Sequence, residues 1–254
     1  MTTNSAFDYD NKEHNYAAVR KADPRIGQYV TNALRDASTV LNVGAGTGSY
    51  EPADKYVLAV EPSAVMRQKR LASGKTPAIN AKADSLPFDD KSFDAAMMVL
   101  TIHHWPDLKK GLQEVKRVTR NKIVILTYDP NELDVFWNAH YFPELIEVER
   151  RRYPQLSRIS EYLDSPINVS SIAIPLDCSD GFQEAFYGRP EAFLDREVRN
   201  AQSAWGFLDE ATHAKCVERL RVDLASGRWD ALYGEHRTMA SFVGAYRMVE
   251  VLLG

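Results

Sequence analysis

The run Thr39-Val40-Leu41-Asn42-Val43-Gly44-Ala45-Gly46-Thr47-Gly48 decides how this chain folds. A short apolar, β-branched stretch empties into closely spaced glycines, the pattern of a buried strand feeding a tight turn. Upstream, Ile26, Val30 and Leu34 recur every four residues and predict the apolar stripe of a helix. Downstream, Tyr56-Val57-Leu58-Ala59-Val60 predicts a second strand closing on Glu61-Pro62-Ser63, with Ser63 placed to cap a helix carrying Val65, Met66 and Leu71. A weaker third strand, Ala78 to Ala83, stops at Asp84. Phe93 to Leu100 is an uninterrupted apolar stretch, as expected of a strand covered on both faces. Leu108, Leu112, Val115 and Val118 mark one face of the next helix, and Lys122 to Tyr128 the fifth strand. Strands alternating with helices imply a parallel sheet with right-handed crossovers.

Beyond strand five the pattern changes. Residues 131–163 read as helical and aromatic, Val169 to Ile174 as a strand, residues 180–240 as mostly helical, and Tyr246 to Leu253 as a closing strand. The stretch between the last two strands is too long for a hairpin and predicts a cap over the sheet. We expect a single domain over residues 1–254. Its core takes in about 25–130, 165–176 and 244–254, with an N-terminal arm over 1–24 and cap segments at about 131–164 and 177–243.

At 254 residues one large α/β domain is expected. The 35 acidic against 31 basic residues give a net charge of −4, which argues against a nucleic-acid partner. Two cysteines make no disulfide framework, no apolar run suits a membrane span, and the first residues lack the features of a signal peptide. A cytoplasmic protein with no membrane partner, monomeric or homodimeric, is therefore the expectation.

In a doubly wound sheet, ligands bind outside the carboxyl ends of the strands. Three features fall at consecutive strand ends here: the glycine turn, Glu61 and Asp84. Glycines let the backbone approach a ligand closely, and a carboxylate after strand two can accept from two ribose hydroxyls. An acid after strand three can accept from an adenine amino group. Together they describe a nucleoside groove. A dinucleotide fingerprint would carry a third glycine where Ser49 stands. Only Ser49 to Lys55, with Pro52 among them, separate the turn from strand two, leaving about one helical turn and a poor pyrophosphate site. A phosphate-free adenosyl ligand such as S-adenosylmethionine asks less of that helix.

In these motifs the sequence resembles a class I S-adenosylmethionine-dependent methyltransferase of the group that includes the ubiquinone and menaquinone methylating enzymes. Val40 to Gly48, Ala59-Val60-Glu61-Pro62-Ser63 with Met66, Ala83 to Phe88, Ser92-Phe93-Asp94-Ala95 and His103-His104-Trp105 carry the likeness, over about residues 38 to 130. The resemblance implies a Rossmann-like, doubly wound sheet of seven strands in order 3-2-1-4-5-7-6, the last antiparallel. It implies S-adenosylmethionine as donor, S-adenosylhomocysteine as product, no metal, and a small-molecule acceptor. It places Gly44, Ala45 and Gly46 against the methionine part, Glu61 on the ribose, Met66 near adenine and Asp84 on the adenine amino group. Gly48, Pro62, Ala83, Ser85 and Leu100 complete the implied cofactor contacts. Asn42 stands where the family often has Asp, and Arg20 or Tyr16 in the arm could reach the methionine carboxylate.

Methyl transfer is an in-line displacement from a sulfonium, and a general base helps only where the acceptor must lose a proton. His104 is the first candidate base and His103 the second. Tyr128, Trp137 and Tyr141 are candidates for the acceptor pocket, with Phe142 beside them. Arg150-Arg151-Arg152 reads as a solvated helix face. Two alternatives stay open: a catalytically silent adenosyl-binding regulatory protein, and a nicotinamide-dependent oxidoreductase resting on Gly44, Gly46 and Glu61 alone.

Overall fold

The computed structural model describes residues 20–254. Nine strands form: β1 (Thr39–Val43), β2 (Tyr56–Val60), β3 (Ala78–Ile79), β4 (Phe93–Val99), β5 (Thr119–Tyr128), β6 (Asn168–Ser171), β7 (Ile174–Pro175), β8 (Ser241–Phe242) and β9 (Tyr246–Leu252). Seven make one sheet in the order β3-β2-β1-β4-β5-β9-β6, while β7 and β8 pair as a separate ribbon. From β3 to β5 all neighbours are parallel, and β9 runs antiparallel to both β5 and β6. The expected strand order therefore holds, the seventh sheet strand being β9 in the chain.

Successive residues of a strand point to opposite faces, and both faces here are covered. Val40, Ala95, Met97, Val124 and Leu126 pack on one side with Ile26 and Val30 of helix α1 (Pro24–Ala33). Leu41, Ala96, Met98, Ile123 and Ile125 pack on the other. They meet Leu112, Val115 and Val118 of a helix at Leu108–Val118, with Ile159 and Leu163 of one at Leu156–Leu163. Double coverage explains why β4 and β5 read as continuous apolar runs. Three of the helices start on a side-chain cap: Asp23 accepts from Arg25 N–H, Ser63 from Met66 N–H at the head of α2 (Ala64–Ala72), and Asp107 from Lys110 N–H at the head of α3 (Leu108–Val118).

Three expectations need correction. The third strand is only two residues long, so Asp84 lies in the loop beyond it rather than at its tip. No helix follows Gly48. Gly44, Gly46, Gly48 and Tyr50 all have positive φ (69°, 50°, 89° and 62°), and alternating left-handed residues cannot propagate a right-handed helix. The Val169–Ile174 strand ends at Ser171, and Ile174 joins the ribbon with Phe242.

The chain between β5 and β9 packs largely on the α1 side. Trp137 sits among Phe193, Trp229 and Tyr141, with ring centroids 5.5, 5.5 and 5.9 Å away. Among the described residues no helix is long and apolar enough to cross a membrane.

Candidate functional site

The carboxyl ends of β1, β2 and β4 open onto one cavity of about 450 Å³. Gly44, Ala45 and Gly46 line it from the turn after β1, Glu61 and Pro62 from the end of β2, and Leu100 and Thr101 from beyond β4. Met66 on α2 and Ala83 and Asp84 in the loop after β3 also reach it. The glycine turn, Glu61 and Asp84, the three features singled out in the sequence, thus converge on one space.

The turn is built to run close beneath it. A Cβ on Gly44 would stand 2.1 Å from Thr101 Oγ1, and one on Gly46 would meet no protein atom within 4 Å. Gly44 therefore packs the turn onto the end of β4, while Gly46 faces open space. Glu61 joins the two loops: its Oε2 accepts from Gly46 N–H at 2.8 Å and its Oε1 from Ser63 N–H at 2.9 Å.

Under the turn, an ion pair does the work a longer helix would do. Arg70, fully buried, donates to Glu51 Oε1 at 2.7 Å and to Thr76 O at 2.6 Å. Asn42 Nδ2 also donates to Glu51 Oε1, at 2.9 Å. A Cβ on Gly48 would fall 2.6 Å from Arg70 Nη1, so Gly48 makes room for this pair and does not line the cavity. Ser85 is exposed and lies outside the lining as well.

The structure assigns several other candidates distinct places. Arg20 lines the cavity with Nε on Asp180 Oδ1 at 2.6 Å, whereas Tyr16 lies outside the described residues. His104 lines the cavity from a single 3₁₀ turn, Ile102–His104. His103 is buried behind it, its ring 4.0 Å from that of His104 and 4.2 Å from that of Tyr153. Tyr128 is buried at the end of β5, beside a smaller cavity that His103 and His104 share. Trp137 and Tyr141 are taken up in packing: Trp137 Nε1 donates to Tyr187 O at 2.7 Å, and Tyr141 Oη to Asp223 at 3.0 Å. Their aromatic spacing reflects a core, which corrects the pocket role expected of them.

Sequence reasoning missed Arg152. Expected on a solvated face, it is 8% exposed and bonds Glu149, Ser203 Oγ at 3.0 Å and His104 Nδ1 at 3.3 Å. A run of arginines beside glutamates gives no sign of which one turns inward. Thr101, Trp105 and Asp107 also line the cavity, and only Trp105 belonged to a motif read beforehand.

A solved structure described as a putative methyltransferase from an antibiotic biosynthesis pathway of Anabaena variabilis superposes with a TM-score of 0.83 at 34% identity, covering 92% of this chain and 99% of that one. The chain belongs to the class I S-adenosylmethionine-dependent methyltransferases. The family profile described as a methyltransferase domain matches residues 41–127, the segment that holds all three strand-end motifs. This methyltransferase chain is also 32% identical over 152 residues to the ubiquinone/menaquinone biosynthesis C-methyltransferase of Geobacter sp. strain M21. It is 33% identical over 152 residues to its counterpart in Citrifermentans bemidjiense. Each match spans 64% of the relative's length and 54% of this chain.

Proposed function

We propose that this methyltransferase moves the methyl group of S-adenosylmethionine onto a small-molecule acceptor. The convergence of Gly44–Gly46, Glu61 and Asp84 on one cavity of about 450 Å³ carries this reading, since a volume of that order is typical of ligand sites.

The residues present fit an adenosyl group. Glu61 lines the cavity while its carboxylate accepts from Gly46 and Ser63 N–H, and an acid at that place suits the hydroxyls of a ribose. Asp84 is placed to accept from an adenine amino group, with Met66 against the ring. Asn42 lines the cavity, and its Oδ1 is buried with no hydrogen-bond partner among the described residues. That unmet acceptor suits the donor's ammonium group, so Asn supplies by hydrogen bonding what the more usual Asp would supply by charge. Arg20 stands at the same cavity for the carboxylate end. When bound, the donor supplies an electrophilic methyl on a sulfonium. The residues around it contribute alignment and exclusion of water.

His104 takes a different part from the general base expected of it. A guanidinium only donates, so the contact from Arg152 makes His104 Nδ1 an acceptor and leaves the neutral ring's proton on Nε2. Burial and the charge of Arg152 push its pKa down to about 3. A ring that must gain a proton beside an arginine is a weak base, so His104 acts as a donor that orients the acceptor.

Acceptor panels tested by mass spectrometry with labelled donor check the proposal. Methyl transfer to at least one small molecule supports it. Tight donor binding without transfer to any of them would favour the silent regulatory reading. Binding of reduced nicotinamide in place of the donor would favour the oxidoreductase.

A further inference from the structure

Beyond His104 lies a second hollow of about 40 Å³, lined by His103, His104, Tyr128, Glu149 and Gln183 among others. Arg20, Leu100 and His104 line both spaces, so the two are neighbours across these side chains. The polar atoms around the hollow are unevenly satisfied. His103 Nδ1 and Tyr128 Oη, on its wall, are buried with no hydrogen-bond partner among the described residues. Arg152 Nε is in the same state just behind that wall, where its guanidinium bonds Glu149, His104 and Ser203. Unmet buried donors and acceptors are rare in folded proteins, and several around one hollow mark a place for a polar guest.

Glu149 supplies the opposite polarity. Its carboxylate accepts from Gln183 Nε2 at 2.7 Å and from Arg152 Nη1 at 3.2 Å, which leaves a lone pair on each oxygen. Charge narrows the choice. Arg152 is matched by Glu149 and Arg20 by Asp180, while Glu184 lies near Tyr128. A carboxylate entering here would be buried beside Glu149, with Arg152 and Arg20 each already in an ion pair. A hydroxyl, which both donates and accepts, meets Glu149 and the orphan donors together. At about 40 Å³ the hollow exceeds the roughly 10–15 Å³ that one water needs, so it has room for a hydroxyl. The rest of such a guest would lie across Leu100 and His104 toward the larger cavity.

We propose that this hollow receives a hydroxyl group of the methyl acceptor, so that acceptors are uncharged hydroxylated small molecules selected by Tyr128 and Glu149. The word acceptor here rests on the methyltransferase reading; the hydroxyl preference rests on the hollow itself. The test is calorimetric titration with phenol, benzoate and toluene, each with and without S-adenosylhomocysteine. Phenol is expected to bind at least about tenfold more tightly than the other two, and Tyr128→Phe to weaken it by about tenfold. Tyr128→Phe removes one oxygen and keeps the ring, and Glu149→Gln provides a second variant with the same expected loss. Benzoate or toluene binding as well as phenol, no phenol binding, or phenol affinity unmoved by both variants would overturn the assignment. A phenol preference without any S-adenosylhomocysteine binding would sink the cofactor reading and leave the hydroxyl site standing. Homocysteine-adduct binding without a phenol preference would do the reverse.

Discussion

At Glu61 both carboxylate oxygens are engaged by backbone N–H groups of Gly46 and Ser63, so the acid joins two loops before a ligand arrives. Glu61→Ala leaves both N–H groups without that partner. It is expected to lower S-adenosylhomocysteine affinity by more than about tenfold and to destabilise the fold by about 1–3 kcal/mol. Calorimetry and urea unfolding check the two parts. Asp84, which lines the cavity without helping to build it, separates the two effects. Asp84→Ala should weaken donor binding by about 1–3 kcal/mol with stability within about 0.5 kcal/mol of the parent. Unchanged affinity would show that adenine lies elsewhere. At His104 the claim is spectroscopic: ¹⁵N-imidazole NMR should show an unprotonated Nδ1 and no titration between about pH 8 and 5. A transition near its ordinary value of 6.5 would restore the general base.

Among the elements, the turn after β1 and helix α3 position the site from opposite sides. Trp105 lines the cavity while its ring rests on Gly111 of α3, where an added Cβ would stand 2.6 Å from the ring. Gly111→Ala should raise helix propensity by about 1 kcal/mol, yet displace Trp105 and weaken S-adenosylhomocysteine binding severalfold. Equal or tighter binding would mean that the indole is no part of the wall. The strands and core helices were legible because they are long, periodic and buried on known faces. Ser63 and the stripe Leu108, Leu112, Val115, Val118 stand where pattern reading put them. The segment after Gly48 was not: its path depends on the Arg70–Glu51 pair, two residues 19 apart whose meeting no local pattern signals. The same holds for Arg152 and His104, 48 apart. Trp137 and Tyr141 misled because aromatic spacing looks alike in a core and in a pocket.

For the molecule as a whole, buried imidazoles link the site to pH-dependent stability. Burial, then the neighbouring charges of His104, Arg152 and Arg20, holds His103 well below its ordinary 6.5. With the folded value depressed, its contribution is complete above about pH 6.5. It fades as the pH falls, because the unfolded chain takes up the proton first. Glu184 has the opposite sign: burial pushes it up to about 7, so its contribution is present below 4.5 and lost as pH rises through 7. Urea unfolding of the parent and of His103→Phe should therefore diverge below pH 6.5, the parent losing up to about 1.4 kcal/mol more per pH unit. Parallel curves would show that His103 protonates freely in the folded protein. One further link joins the whole: Asp180 binds Arg20 and Tyr50 Oη, tying the start of the described chain, the β1 turn and the inserted segment together around the cavity. All of this serves a single space, and titration of the folded protein with S-adenosylhomocysteine tests it most directly. Saturable one-to-one binding, weakened in Asp84→Ala, is expected; no heat of binding at about millimolar ligand, where affinities weaker than about −4 kcal/mol begin, would show that the cavity is not an adenosyl site.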